Sequence, residues 1–140
     1  SQIDLNLSPL DREVFVVLAI NLDPFTPELT LGADSTVAMS LTTTSQTAVT
    51  NLSNSNCMAA STNKIRSNAT GAVAFQSLGM ETPPATLDYI GIIATNDFFV
   101  QVKGTGNVSA LGGDGKLYGY RAVASADIYA ALVQSEVLSA

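Results

Sequence analysis

The chain has 140 residues, enough for one domain with a core that buries roughly two-thirds of the surface its unfolded form exposes. Charged residues make up 13% of it, about half the usual ~25%, and Ser, Thr and Asn take their place, which suits surfaces that lie against other protein and equally suits secreted β proteins. Net charge is −6 and the cations are scattered as Arg12, Lys64, Arg66, Lys103, Lys116 and Arg121, so no basic patch exists to displace counterions from phosphates and nucleic acid is excluded as a direct partner.

Residues 1–12 read as an N-terminal arm ahead of a single β domain at 13–140. Ile3, Leu5 and Leu7 alternate with Asp4, Asn6 and Ser8, the period of a half-buried strand. Ser8-Pro9 interrupts the pattern, and Asp11, three residues after Ser8, suits a capping box for one helical turn. The stretch SQIDLNLSPL has no basic segment leading into an apolar one, so no signal peptide is expected. Glu13 to Leu22, EVFVVLAINL, is apolar on both faces and β-branched in its first half, which predicts a core strand. Its run Val14 to Ile20 falls far short of the ~20 residues of a membrane-spanning helix, and no membrane contact is expected. Asp23-Pro24-Phe25-Thr26-Pro27 follows as a proline-stiffened connection that cannot join a central ladder.

Gly32 to Asp34 is a turn. In Ser35 to Thr44, Val37, Met39 and Leu41 alternate with Thr36, Ala38, Ser40 and Thr42, which predicts an amphipathic strand with a hydroxyl-lined outer face. Thr43 to Asn56 is polar and low in complexity, a long surface loop. Cys57 to Ser67 suits one helical turn and extended chain equally. Gly71 to Leu78 alternates Val73 and Phe75 against Ala74 and Gln76, as a strand does. Thr82-Pro83-Pro84 is a stiff extended segment.

Thr86 to Val123 carries the clearest pattern. Leu87–Ala94, Phe98–Lys103 and Lys116–Val123 are runs rich in Ile, Val, Phe or Tyr. Thr95-Asn96-Asp97 suits a hairpin and Gly104 to Gly115 a long glycine-rich loop, so an antiparallel β-meander is expected here. Ala126 to Leu138 has a helix-favouring composition, with Ser125 or Asp127 as cap. Yet Tyr129, Ala131 and Val133 alternate with Ile128, Ala130 and Leu132, as in a strand buried on both faces, and a strand matches its neighbours. No repeat of solenoid period occurs. The fold class is therefore all-β or mainly β: an antiparallel β-sandwich or barrel of about seven or eight strands, with room for one short helix.

Catalytic sets are missing. Without His there is no Ser-His-Asp triad and no His-ligated metal, and the lone Cys57 excludes a CxxC pair and reads as a buried inert thiol. Ala110 stands where the first glycine of a P-loop ending in Gly115-Lys116 belongs, and Leu117 where its Ser or Thr belongs. Gly104-Thr105-Gly106 is followed by Ser109, which breaks a dinucleotide fingerprint. Asp23, Asp34, Asp88, Asp97 and Asp114 sit at predicted turns, with no Asp-x-Asp spacing for calcium and no Trp to stack a sugar beside a carboxylate pair. Sequons at Asn6, Asn51, Asn68 and Asn107 mark loops more than glycans in a chain so rich in these residues. No enzyme activity, cofactor or metal is expected.

The aromatic residues concentrate in the C-terminal half. Phe98 and Phe99 must point to opposite faces, while Tyr118 and Tyr120 share one face, opposite Leu117 and Val123. Large apolar groups on both faces call for a second layer or a partner. The candidate interface is Ile3, Leu5 and Leu7, an arm able to add a strand to a neighbour's sheet edge, together with Phe98, Phe99, Tyr118 and Tyr120. In composition and strand pattern the chain resembles small β-rich virion proteins of bacteriophages, of the capsid decoration or cement type. That resemblance implies a structural protein in the virion that docks on a capsid lattice, often as a symmetric homo-oligomer, and stabilises the shell without chemistry. Its partners would be protein: copies of itself, the lattice, or both. The alternatives are a glycan-binding or adhesin module, extracellular or on a cell surface, and a β-type pilus or filament subunit.

Overall fold

The strand with apolar side chains on both faces, β2 (Glu13–Pro24), organises the molecule. In the computed structural model, which describes residues 1–79 and 87–138, it is the middle of a three-stranded antiparallel sheet, between β6 (Gly91–Ile93) and β8 (Gly113–Val123). A five-stranded antiparallel sheet lies against it. Its strands are β1 (Gln2–Asp4), β3 (Ser35–Thr42), β4 (Cys57–Ser67), β5 (Ala72–Gly79) and β7 (Asp97–Thr105), in the order β1-β7-β3-β4-β5. The helix α1 (Ala126–Leu138) follows β8. The fold is thus mainly β, two sheets packed face to face and not closed into a barrel.

Between the sheets, Val17, Ile20 and Leu22 of β2 pack with Met39 and Leu41 of β3, Ala59 of β4, Ile93 of β6 and Phe98 of β7. Each of these side chains larger than alanine, fully buried, contributes roughly 1.5–3 kcal/mol. A bulge between Val17 and Ala19 holds Phe15 and Val17 on the same face as Ile20 and Leu22, which strict alternation would not. The facing side of β8 carries Gly113, Gly115 and Gly119 around Leu117. A Cβ on Gly119 would collide with the Val16 carbonyl and stand 2.6 Å from Phe15 Cε1, and one on Gly113 would collide with Met39 Sδ. Bare backbone there lets Phe15 and Met39 lie flat across β8.

The hydroxyl face of β3 is covered rather than solvated. Ser40 and Thr42 are fully buried beneath the loop 43–56. Thr50 N donates to Ser40 Oγ (3.1 Å), Ser40 Oγ to Gln101 Oε1 (2.7 Å), and Gln101 Nε2 to Thr42 Oγ1 (2.9 Å). The long polar loop is a lid held by these hydrogen bonds, which satisfy the Ser40 and Thr42 hydroxyls and leave Thr50 Oγ1 buried without a partner.

Several expectations are corrected. The meander is absent: β6 and β8 flank β2, whereas β7 belongs to the other sheet, so Thr95-Asn96 is a corner between sheets and not a hairpin turn. Strand β2 takes the place of β7 because its inner face supplies more of the core. Ala126 to Leu138 is a helix, with Tyr129 N bonded to Ser125 O and Ile128 N to Ser125 Oγ. Its alanines favour helix locally, and its half-buried residues Tyr129, Leu132 and Val133 are spaced as one helical stripe. Cys57 to Ser67 is extended, as β4. Pro24 does enter the ladder, opposite Gly113, because β6 pairs only with Phe15–Val17 and leaves that end of β2 flanked on one side alone. At Ser8 the carboxylate that accepts from the main-chain N–H is Glu13, not Asp11 (3.4 Å). The Thr82-Pro83-Pro84 segment lies outside the described residues.

Gly119→Ala should destabilise the fold by about 1–3 kcal/mol, because the added methyl meets fixed backbone and the half-buried ring of Phe15. Urea unfolding measures this, with Ile20→Ala, expected to cost about 2–5 kcal/mol, as reference. A Gly119→Ala protein as stable as the parent would rule out so close an approach of β8 to β2.

Candidate functional site

The arm adds its strand to its own chain. Gln2, Ile3 and Asp4 lie opposite Phe99, Phe98 and Asp97 of β7, which makes β1 one edge of the five-stranded sheet. Beyond β1 the segment crosses to the other sheet. Leu5 N donates to Asn96 O (2.8 Å) and Leu7 N to Asn96 Oδ1 (2.6 Å). Arg121 donates to Leu5 O (2.6 Å) and Asn6 O (3.0 Å) and pairs with Glu13 at 3.0 Å. The inter-sheet corner and the arm therefore hold each other. Asn6 (φ 52°) and Arg12 (φ 55°) both adopt left-handed backbone at this crossing, tolerable for Asn and strained for Arg.

The predicted interface residues fall in two separate places. Leu7 is buried, Leu5 packs on the core cluster, and Phe98 is a member of that cluster. Ile3 is partly exposed beside Phe98, and Phe99 is half-buried on the opposite face. Tyr118 and Tyr120 stand on the outer face of the three-stranded sheet, 46% and 53% exposed, opposite Ala19 and Val16. The structure does not bring the arm and the tyrosines onto one surface. It does place Phe98 and Phe99 on opposite faces, and Tyr118 and Tyr120 on one.

A third place was not singled out from sequence. Strand β5 is the other edge of the five-stranded sheet, and its residues 72–77 are exposed on both faces. Val73 (58% exposed) and Phe75 (52%) share one face, directly opposite Arg66 and Lys64 of β4. Around them runs a wide groove of about 570 Å³ lined by Asp34, Arg66, Asn68, Val73 and Phe75, where Arg66 Nε and Asp34 stand 3.6 Å apart. The alternation of Val73 and Phe75 reveals a strand but not that it lies at an edge. At the far side of the sandwich, an apolar cleft of about 350 Å³ opens between the sheets. Ile3, Met39, Val100 and Val102 form one wall and Leu117 the other, with Lys116 also on its lining.

The glycine-rich loop is a structural tie. Val108 N (2.8 Å) and Ser109 N (3.3 Å) donate to the Glu28 carboxylate, and Asn107 accepts from Glu28 N (2.9 Å) while donating to Thr36 O (3.0 Å). The hydrogen bond from Val108 holds the Glu28 carboxyl below its ordinary value, with Ser109 assisting against partial desolvation. The sequon amides at Asn51 and Asn68 accept local hydrogen bonds within their own turns. Among the described residues no group of three or more His, Cys, Asp or Glu is placed to hold a metal ion, and no helix is long and apolar enough to cross a membrane. In comparisons with known proteins, no family model, no curated protein and no solved structure matches the chain. The chain's own geometry must therefore carry the functional reading.

A depressed folded-state pKa favours the fold above the unfolded value and loses that contribution as pH falls through the folded one. Glu28→Gln should thus lower the thermal midpoint at neutral pH, with the difference from the parent vanishing in acid well below the ordinary Glu value of about 4.3. A midpoint difference that persists unchanged into acid would show that the charge on Glu28 is not what anchors the loop.

Proposed function

We propose that this protein is a non-enzymatic structural subunit that works by association with copies of itself, of the virion decoration or cement kind that its composition resembles. The observation that carries the reading is β5: an edge strand with exposed main chain on one side and exposed side chains on both faces. Monomeric proteins blunt such edges with charge, proline or a bulge, since an open edge is a template for pairing. The low charge of the chain supports the same reading, because neutral Ser, Thr and Asn side chains are cheaper to desolvate at a contact than ions are. The virion setting rests on the resemblance alone. A glycan-binding reading has less behind it: Tyr118 and Tyr120 are exposed aromatic rings, but neither lines the groove or the cleft described above.

Light scattering after size exclusion tests this directly. The expected result is a discrete oligomer whose mass holds across a wide dilution series. A monomer at every concentration would refute self-association, and glycan-array binding by that monomer would put the adhesin reading in its place.

A further inference from the structure

We infer that two copies of the chain pair β5 to β5 across a two-fold axis, joining their five-stranded sheets into one continuous sheet. This rests on the association reading above and deepens it by naming the surface and the partner, a second copy. The three other sheet edges are poor candidates. Strand β1 is three residues long, carries Asp4, and its chain turns away at once toward Asn96 and Arg121. Strand β6 is also three residues long. Strand β8 is long, but the five-stranded sheet extends past it: β7 and β1 form the far wall of the apolar cleft. A second sandwich brought up to β8 across a two-fold axis would drive its own overhanging β7 and β1 into these.

At β5 nothing of that kind intervenes among the described residues. The strand AVAFQSLG holds no charged residue and no proline, so it faces itself without like-charge repulsion. Asn68 N donates to Gly71 O at the hairpin end, so residues 73, 75 and 77 turn their main-chain groups toward β4. Ala72, Ala74 and Gln76 turn theirs outward and are free to build a new ladder.

A two-fold axis normal to the sheet requires residues on the same face to meet. In the register centred on Ala74, Val73 of each copy lies opposite Phe75 of the other, in a non-hydrogen-bonded pair where side chains approach most closely. Two half-exposed apolar side chains per copy thereby cover each other as aromatic–β-branched pairs. The flanking cations do not oppose this. Lys64 of one copy and Arg66 of the second stand three strand spacings apart, about 14 Å, beyond the ~8 Å screening length of physiological salt.

Two variants test the pairing. Ala74→Pro removes an outward N–H that β4 does not use, and Phe75→Lys places a charge in the pair with Val73; Val108→Lys, in a 90% exposed loop position, is the control. Mass by light scattering and far-ultraviolet circular dichroism are read for each. The expected result is a halved mass for Ala74→Pro and Phe75→Lys with the strand signal kept, and an unchanged mass for Val108→Lys. If the parent protein is oligomeric and both β5 variants keep its full mass, this inference is wrong and the association reading stands. A mass halved by Val108→Lys as well would also overturn it. A parent protein that is monomeric throughout would end both.

Discussion

Three strands cannot cover five. The core forms where the inner face of β2 meets β3 and β4, and the three-stranded sheet is used up there. Strands are about 4.8 Å apart, so two strand widths of the larger sheet, on the order of 10 Å, have no strand above them among the described residues. On one side this leaves Ile3 and Val102 at 41% exposure over an apolar cleft. On the other it leaves the inner face of β5, with Ala72, Ala74 and Gln76, exposed. The apolar cleft and the open inner face of β5 follow from that mismatch, whereas Val73 and Phe75 lie on the outer face of the larger sheet and Tyr118 and Tyr120 on that of the smaller.

What the small sheet leaves uncovered, non-strand segments cover in part. The loop 43–56 roofs the hydroxyls of β3, and the arm crosses one end of the sandwich under the Arg121 guanidinium. Val14 and Val16 face away from the core cluster yet are buried, so the outer face of the small sheet is covered along part of β2. The helix α1 leaves β8 at the level of Glu13, and its Ser135 lines a cavity with Ile90, Gly91 and Ile92, so it returns toward β6 along that sheet. These covers finish a core that the paired strands have already specified.

Strands were legible because a period of two is a local property. Val37, Met39 and Leu41 against Thr36, Ala38 and Ser40 need only their own sequence to declare two faces. Pairing is not local. Thr95-Asn96-Asp97 has hairpin chemistry, and only the competition among β2, β6 and β8 for one small sheet shows it to be a corner. The segment from Ala126 to Leu138 is apolar at either period, so no pattern separated helix from strand; its alanines and the Ser125 cap decided it. The candidate interface was half visible. Tyr118 and Tyr120 were placed on one face by alternation, but Leu7 and Phe98 look identical to surface anchors until their burial is known. Phe75 was passed over because an edge strand and an inner strand share the same letters.

The absence of charge on β5 is the detail that favours the proposed assembly edge over an accident of small-sheet coverage. An uncovered strand that must stay single gains from a lysine at small cost in stability, and this chain places Lys64 and Arg66 one strand further in, where they flank the edge without blocking it. The cations thus keep the groove around Val73 and Phe75 soluble while the strand itself remains neutral. Two-fold pairing also uses each β5 once, so the contact closes on itself rather than propagating as an open stack. An edge that is apolar, uncharged and self-complementary is a hazard in a monomer. In a subunit it is a joint.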